Sequence, residues 1–366
     1  MTDSAVGPYR LEAPFSTAGG GQSQWTFATR DGTSYFIKQF LAPTYPLPDG
    51  PGSAAGKAAK RLRCERFEAH HQTIDRLLSP LSSAGGNLVV TKDFFRYGAH
   101  YYKVTDRVEA ADLPVEAIAA QPLAHRLLLM MSVTHSVGLL HKSGLVHGDL
   151  KPPNVLIKQI GPDRFTTKLI DFDNCFHVGD VPVADELVGD PVYYSPELMA
   201  YVTGNATADT IGLPSDVFAL GLLFCQYLTG VLPSGRTSGY PGEVIANGGS
   251  LKVPSVSSDL EKALSELIGR MLSPGPADRP AVAEVGQSLK LLRKMVGSGT
   301  SPAPASTAGG GAGGTSGGAG GALRGKGLGI AGGSGAGSGA GSGTSAPAKT
   351  EGTLRGSLIR KKGPLT

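Results

Sequence analysis

The spacing of hydrophobic residues changes partway along the chain, from a pattern typical of strands to one typical of helices. Over residues 9–40, short apolar runs are separated by glycine-rich segments and by Asp31-Gly32, which is typical of antiparallel hairpins. Two further strand-like runs cover 87–95 and 100–108. Between these groups, apolar residues recur at helical spacing and predict a helix over 54–78. The first part of the chain is therefore expected to form a small sheet and one helix.

Beyond residue 115 the apolar segments have the length and spacing of helices. These segments are 124–143, 217–228, 259–272 and 282–295. The pattern predicts an α+β protein with two lobes, a small β-rich N-lobe over about 9–108 and a larger helical C-lobe over about 112–296. Ligands usually bind in the cleft between two such lobes.

Composition separates the last part of the chain from the rest. The sequence has 53 glycines among 366 residues, and they crowd into 297–348 together with alanine, serine and threonine. Such a segment cannot bury enough apolar surface to offset the entropy that it loses on ordering. Residues 297–366 are therefore expected to form a disordered Gly/Ser/Ala-rich linker and a basic tail outside the folded domain over 9–296.

Charge and cysteine content exclude several functional classes. The net charge of +4 is small and much of the excess lies in the tail, so nucleic-acid binding is not expected. Cys64, Cys175 and Cys225 are too far apart for a disulfide framework or a zinc site. No stretch approaches the roughly 20 apolar residues that cross a bilayer, and the N-terminus has no long apolar core. These features predict a cytoplasmic protein without a transmembrane segment.

The segment 145–157 carries the strongest chemical signal. It reads Leu-Val-His-Gly-Asp-Leu-Lys-Pro-Pro-Asn-Val-Leu-Ile and includes Asp149, Lys151 and Asn154. These three side chains can converge from one short loop. The carboxylate can orient a hydroxyl group, the lysine can offset charge on a phosphoryl group, and the amide oxygen can bind Mg²⁺. The spacing therefore indicates phosphoryl transfer.

The same segment resembles the catalytic loop of eukaryotic-type (Hanks-type) protein kinases, H-R-D-L-K-P-x-N, as found in bacterial-like members. Four further segments resemble the family in the same order. They are Leu-Ile-Asp-Phe-Asp at 169–173, similar to the metal-binding D-F-G; 190–197, similar to the segment that ends in A-P-E; 215–221, similar to the buried central helix; and Arg279-Pro280, similar to the arginine that pairs with the A-P-E glutamate. The resemblance implies a bilobal serine/threonine protein kinase fold.

The resemblance also indicates how the phosphates of ATP would be held. Lys38 ends the apolar run Tyr-Phe-Ile-Lys and stands where the family carries its phosphate-binding strand lysine. This lysine needs a glutamate from the following helix. Glu68 borders the apolar face of the helix over 54–78, whereas the alternative, Glu65, points to solvent. Glu68 is therefore the expected partner of Lys38.

The remaining nucleotide contacts are also assigned by the resemblance. Gly19, Gly20 and Gly21 stand in the place of the glycine-rich loop that covers the phosphates, although only Gly20 falls on a family glycine. Thr105 and Arg107 lie in the segment expected beside the adenine. The implied cofactors are ATP and Mg²⁺.

The resemblance further assigns the roles in catalysis. Asn154 and Asp171 would bind Mg²⁺ that bridges the phosphates, Asp149 would accept the proton of the attacking hydroxyl, and Lys151 would offset charge on the transferred group. Family members that carry a lysine at position 151 act on serine and threonine, so Lys151 favours Ser/Thr substrates.

Three positions depart from the family pattern. Gly148 replaces the arginine of H-R-D, which docks a phosphorylated residue, and residues 171–191 contain no Ser, Thr or Tyr. Both observations predict a non-RD kinase that needs no activation-loop phosphorylation. Asp173 replaces the glycine of D-F-G and either restricts the backbone, adds a carboxylate near the metal, or is solvated. Asp190 replaces a threonine and is hypothesised to pair with Lys151 when no nucleotide is bound.

The predicted function is ATP-dependent phosphorylation of protein Ser/Thr hydroxyls. The alternative is a pseudokinase that acts as a nucleotide- or partner-binding module, and a small-molecule kinase of similar architecture is a further possibility. Protein substrates are the implied partners. Some kinases that resemble this chain work beside phosphatases and von Willebrand-type domains, which suggests such a partner as a hypothesis.

Overall fold

The computed structural model describes residues 4–17, 23–83, 87–111, 113–161, 164–235 and 238–298, which form a small β-rich lobe followed by a larger helical lobe. This confirms the α+β, bilobal fold predicted from the sequence. The strands in these ranges are β1 (Ala5–Val6), β2 (Tyr9–Leu11), β3 (Ser23–Arg30), β4 (Thr33–Phe40), β5 (Thr91–Tyr97), β6 (His100–Asp106), β7 (Leu145–Val146), β8 (Val155–Gly161), β9 (Arg164–Leu169), β10 (Phe176–His177), β11 (Ser234–Gly235) and β12 (Leu251–Lys252). The helices are α1 (Ala54–Leu78), α2 (Val115–Ala119), α3 (Leu123–Lys142), α4 (Pro196–Val202), α5 (Leu213–Thr229), α6 (Pro241–Ala246), α7 (Asp259–Met271) and α8 (Val282–Ser298).

The N-lobe is an antiparallel sheet with the strand order β1-β2-β3-β4-β6-β5. Strands β3 and β4 form a hairpin because Asp31 and Gly32 adopt positive φ angles of 51° and 75°, as a tight two-residue turn of this twist requires. Strand β4 also pairs with β6, and in that register Lys38 lies directly opposite Lys103. The two lysines therefore project from the same face of the sheet.

Helix α1 covers one face of this sheet. Its first turn is capped by Ser53, whose hydroxyl accepts a hydrogen bond from the backbone N–H of Gly56 at 3.1 Å. The ring of Phe67 lies 5.0 Å from that of Phe40 on β4 and 5.2 Å from that of Tyr101 on β6. The residues of α1 that are buried recur at helical spacing, as predicted, and are Cys64, His71, Ile74 and Leu78. Aromatic packing thus fixes α1 against the two strands that carry the lysines.

The C-lobe is built around α5, in which nearly every side chain is buried. Helix α3 packs beside it and is itself long and apolar enough to cross a membrane by length and composition alone. Half of that apolar stretch is buried inside the fold, in the manner of a core helix. The expectation that no segment approaches membrane-spanning length was therefore wrong for α3, because the core helix of a folded domain satisfies the same test of length and composition.

Two parts of the C-lobe differ from the sequence-based expectation, namely the hairpin of β8 and β9 and the start of α5. Strands β8 and β9 lie in the part of the chain that was expected to be helical, and they pair with each other along 155–161 and 164–169. Helix α5 begins at Leu213, ahead of its predicted start at 217, with Pro214 in its first turn. The predicted tail lies outside the described residues from position 299 onward.

Candidate active site

The loop between β7 and β8 places Asp149 at its centre, followed by a 3₁₀ turn over Pro152–Asn154. Asp149 is buried, and its carboxylate accepts three hydrogen bonds. Lys151 Nζ lies 3.0 Å from Oδ1 and also 2.8 Å from Oδ2, Asn154 Nδ2 lies 3.0 Å from Oδ2, and the backbone N–H of Asp190 lies 3.0 Å from Oδ1. The structure thus brings together the three side chains singled out from their spacing. Their hydrogen bonds hold the carboxylate in one orientation.

The backbone of this loop is anchored by Asp216, a buried residue in the first turn of α5. Its carboxylate accepts hydrogen bonds from the backbone N–H groups of His147 at 2.8 Å and Gly148 at 3.1 Å, and Nε2 of His141 lies 3.0 Å away. Sequence reasoning placed Asp216 in a family-like helix but gave it no role. The available signal was a single acidic residue opening an otherwise apolar helix, which needs a partner once it is buried.

Gly148 occupies a position that excludes a side chain. Its φ angle is +76°, in the left-handed region, and a Cβ atom there would lie 2.7 Å from the carbonyl oxygen of Asn174. The arginine that the family carries at this position is therefore incompatible with the loop as it is folded here. Glycine is required by the backbone and by the close approach of the following segment.

Replacing Gly148 with alanine is expected to lower the free energy of unfolding by about 1–3 kcal/mol, because the left-handed backbone alone costs about 1–2 kcal/mol and the Cβ contact adds to it. Urea denaturation of the purified variant measures the loss. Gly204→Ala is the matched control, since Gly204 has a φ of +77° and nothing within 4 Å of its Cβ position. Equal losses for the two variants would show that the contact with Asn174 has no energetic effect.

Lys38 reaches the cleft from β4 and binds two carboxylates of the segment that follows β9. Its Nζ lies 2.9 Å and 3.1 Å from the two carboxylate oxygens of Asp171, and 2.6 Å from Oδ2 of Asp173. Asp171 has a φ of +62°, which turns the chain sharply at this point. The proposed phosphate-binding lysine and the proposed metal ligand Asp171 are therefore adjacent in the fold.

The expected pairing of Lys38 with Glu68 is not what the structure shows. The Glu68 carboxylate accepts a hydrogen bond from the hydroxyl of Tyr101 at 2.5 Å, and within the described ranges Lys38 makes no ion pair with α1. The helical wheel placed Glu68 at the border of the buried face, but it could not determine which strand that border meets. In the structure Glu68 is bound by Tyr101 of β6. Glu65 is exposed on the same helix.

The Asp173 side chain is only 12% exposed and bridges the two opposed lysines of the sheet. Lys103 Nζ lies 2.7 Å from its Oδ1, while Lys38 binds its Oδ2. Burial alone would raise the pKa of this carboxyl, but the charges of Lys103 and Lys38 hold that pKa well below its usual range. The hypothesis that the Asp173 side chain points into solvent is therefore excluded by the structure.

The other expected nucleotide-binding residues have different outcomes. Thr105 lies on β6 opposite Phe36 of β4, so its position near the cleft is set by strand register. Arg107 instead pairs with Glu12 at 3.2 Å, and its guanidinium lies 4.0 Å from the centre of the Phe27 ring. The role of Arg107 beside adenine stays a prediction. Gly19, Gly20 and Gly21 lie outside the described residues.

Polar side chains of the segment before α4 form hydrogen bonds with backbone groups close to them in the sequence. The carboxylate of Asp190 accepts a hydrogen bond from the N–H of Val192 at 3.1 Å, so the hypothesised ion pair between Asp190 and Lys151 is wrong for this structure. The contact of Asp190 with the carboxylate of Asp149 is made by its backbone instead. Ser195 is buried and caps α4 by accepting from the N–H of Leu198. These contacts position the segment without a phosphate group.

A buried ion pair joins this segment to the far side of the C-lobe. Glu197 accepts two hydrogen bonds from the guanidinium of Arg279, at 2.7 Å and 2.8 Å, and a third from Ser215 at 2.8 Å. Burial alone would raise the pKa of Glu197, but its bonds to Arg279 hold that pKa below its usual range. The pairing inferred for Arg279 from family resemblance is therefore confirmed.

The curated proteins that are similar to this chain in sequence include several serine/threonine-protein kinases. Serine/threonine-protein kinase PkaA of Streptomyces coelicolor is 28% identical over 254 residues, which cover 66% of this chain and 42% of that protein. PkaB of the same organism is 25% identical over 297 residues, covering 75% and 66%. The Drosophila melanogaster ovarian-specific serine/threonine-protein kinase Lok is 31% identical over 191 residues, covering 51% and 39%. The chain spans less than two thirds of the length of PkaA and of Lok, and 66% of PkaB.

The length of the match to a family model shows the family of this chain. Residues 57–289, well over half of the chain, match the family model described as "Protein kinase domain". This range includes the loop around Asp149, the segment after β9 and the buried pair of Glu197 and Arg279. The chain belongs to the protein kinase domain family.

Proposed function

We propose that this chain transfers the γ-phosphoryl group of ATP to serine or threonine hydroxyls of proteins, and that it does so without phosphate on the segment before α4. The observation that carries the proposal is the buried carboxylate of Asp149, held by Lys151 and Asn154, together with the ion pair of Lys38 with Asp171. The names of PkaA, PkaB and Lok, all serine/threonine-protein kinases, support the same reaction.

The donor atoms at the site suit the cofactor that the proposal implies. Nδ2 of Asn154 donates to the backbone oxygen of Asp149 at 2.7 Å and to its carboxylate at 3.0 Å, which leaves Oδ1 of Asn154 for a metal ion. The carboxylate of Asp171 supplies a second oxygen donor, and Mg²⁺ prefers such oxygen ligands. Bound Mg²⁺ would neutralise charge on the phosphates.

The protein groups then divide the remaining work. Lys38 binds phosphate oxygens, and Asp149 orients the attacking hydroxyl and accepts its proton. Lys151 lies within hydrogen-bond distance of Asp149 and offsets the charge of the transferred group. Because the transition state of phosphoryl transfer is loose, holding these groups in place supplies most of the acceleration.

Independence from phosphorylation is supported by the state of the nearby hydroxyl groups. The Tyr193 hydroxyl donates to Gln226 at 2.8 Å, and Ser195 is used as the cap of α4. Tyr194 is buried, and burial raises the pKa of its hydroxyl to about 12. Gly148 offers no guanidinium that would need a phosphate partner. The segment is therefore already fixed by neutral contacts.

The proposal is tested with phosphatase-treated full-length protein, labelled ATP, Mg²⁺ and a mixed-sequence acceptor protein. We expect label on serine or threonine of the acceptor, and treated and untreated protein to have the same initial rate. Label on tyrosine would overturn the substrate class. An initial rate that is lost with phosphate on Tyr193, Tyr194 or Ser195 and returns with it would overturn independence. Nucleotide binding without any transfer would favour the pseudokinase.

The proposal includes protein substrates as partners. A phosphatase or von Willebrand-type partner and the cytoplasmic location stay predictions from sequence. Affinity purification with the full chain, followed by mass spectrometry, would identify such a partner.

A further inference from the structure

We infer that Asp173, held by Lys103, anchors Lys38 in the place of the helix glutamate that the family resemblance led us to expect. This inference rests on the proposed function, because it concerns how the phosphate-binding lysine is kept in position. Asp173 and Lys103 would act through Lys38, so both are positioning residues.

The geometry shows one carboxylate shared by two lysines. Asp173 uses Oδ2 for Lys38 at 2.6 Å and Oδ1 for Lys103 at 2.7 Å, so both oxygens are occupied by a charged donor. The side chains of Lys103 and Asp173 are only 7% and 12% exposed. Charged hydrogen bonds at these distances and this burial are the strong kind. The position of Lys38 is thereby tied to β6 as well as to its own strand.

The sheet register explains why a bridging anion is needed. Lys38 and Lys103 are directly opposite partners on β4 and β6 and project from the same face. Two like charges at directly opposite positions destabilise a sheet unless an anion lies between them. Asp173 supplies that anion. A glycine, the residue that the family carries at position 173, would leave the second lysine with Asp75, whose carboxylate is 3.9 Å from Lys103.

Helix α1 does not supply the anion that binds Lys38. The residues that α1 turns toward the lysines and Asp173 are His70, His71 and Asp75. Nδ1 of His71 lies 3.4 Å from Lys103, and Nε2 of His70 lies 3.1 Å from the backbone oxygen of Asp173. The Asp75 carboxylate is occupied by the Thr91 hydroxyl at 2.5 Å. The carboxylate that binds Lys38 therefore has to come from the segment after β9.

The two carboxylates that bind Lys38 would also allow it to stay in place when Mg²⁺-ATP binds. Lys38 now binds both Asp171 and Asp173. When Asp171 binds metal, Lys38 still has Asp173 to hold it beside the phosphates, and Asp173 still has Lys103. One carboxylate of the segment is thus free for the metal while the other stays with the lysines.

The inference is tested by steady-state kinetics and nucleotide binding with the full chain. We expect Asp173→Asn to raise the KM for ATP and the Kd for Mg²⁺-ATP by about 10- to 100-fold, the range for one charged hydrogen bond. Lys103→Met is also expected to raise the KM for ATP and the Kd for Mg²⁺-ATP. The double variant Asp173→Asn/Lys103→Met should be no worse than Asp173→Asn alone, because Lys103 acts through Asp173.

Two helix variants separate the possibilities. Glu65→Gln is the matched control on the exposed face of α1 and should leave both constants unchanged. The inference is overturned if Glu68→Gln raises the KM for ATP more than Asp173→Asn does, since Glu68 would then be the anchor. It is also overturned if Asp173→Asn lowers only the melting temperature and leaves KM and Kd unchanged, as a purely structural role would.

Failure of the inference about Asp173 can be distinguished from failure of the proposed kinase activity. If the wild type binds Mg²⁺-ATP but transfers no phosphate, the proposed function fails, and the Kd values of the same variants still decide the inference. If Asp173→Asn does not fold, Lys103→Met and Glu68→Gln decide it. An unchanged Kd for Lys103→Met together with a raised Kd for Glu68→Gln would then overturn it.

Discussion

Replacing Asp149 with asparagine is expected to lower kcat for phosphoryl transfer by about 10²–10⁴-fold, the contribution typical of a general base. An amide has the same shape as the carboxylate but cannot accept the hydroxyl proton. The substitution also places an amide opposite three donors, Lys151, Asn154 and the N–H of Asp190, one of which then loses its acceptor. The measurement is kcat and KM for ATP at saturating acceptor protein.

The pattern of the two constants identifies the role of Asp149. KM for ATP should change little, because the ion pair of Lys38 with Asp171 does not involve Asp149. Asp185→Asn is the matched control, since Asp185 is an exposed aspartate of the segment between β10 and α4. A variant Asp149→Asn that keeps more than half of the wild-type kcat would show that another group takes the proton.

Replacing Arg279 with alanine is expected to lower the free energy of unfolding by about 3–5 kcal/mol, because it leaves a buried carboxylate without its counter-charge. The side chains of Arg279 and Glu197 are 0% and 7% exposed, so water cannot replace the lost contacts. Arg279 also donates to the backbone oxygens of Ser273, Pro214 and Pro274. Urea denaturation followed by tryptophan fluorescence or circular dichroism gives the loss.

The exposed pair of Lys262 and Asp259 provides the control. Their atoms approach to 2.9 Å, but the side chains are 57% and 97% exposed, so Lys262→Ala should change stability by only about 0–0.5 kcal/mol. The pKa of Glu197 is lowered in the folded state, so its stabilising effect is present above the usual glutamate pKa and is lost as pH falls through the lowered value. Glu197→Gln should therefore remove that part of the acid sensitivity. Equal losses for Arg279→Ala and Lys262→Ala would contradict the assigned importance of burial.

Features that depend on neighbouring residues could be predicted from the sequence. Helix α1 was predicted with its observed bounds, because helical spacing of apolar residues is a local signal. Asp149, Lys151 and Asn154 converge as expected, because they lie in one short loop that turns at residues 152–154. Family resemblance extended this to Glu197 and Arg279, whose pairing no local pattern contains.

Features that depend on the packing of distant segments could not be predicted in this way. Glu68 was chosen from its angle on a helix, but that angle does not say which strand the helix faces, and it faces Tyr101. Lys103 was not singled out, because a lysine inside an apolar strand carries no sign of its partner, Asp173, which lies 70 positions away. Asp216 received no role, although an acidic residue at the start of an apolar helix was a local signal, because its partners His147 and Gly148 lie in a distant loop.

The sequence by itself determined the two-lobed α+β fold, the convergence of Asp149, Lys151 and Asn154 in one loop, and the membership of the protein kinase family, because these rest on periodicity and on short motifs. The tertiary structure decided which charges meet. It placed Asp173 between Lys38 and Lys103, turned Asp190 toward Val192, and required glycine at position 148 through the approach of Asn174. Ion pairs at this depth depend on strand register and helix docking, since their strength comes from burial that no single segment creates.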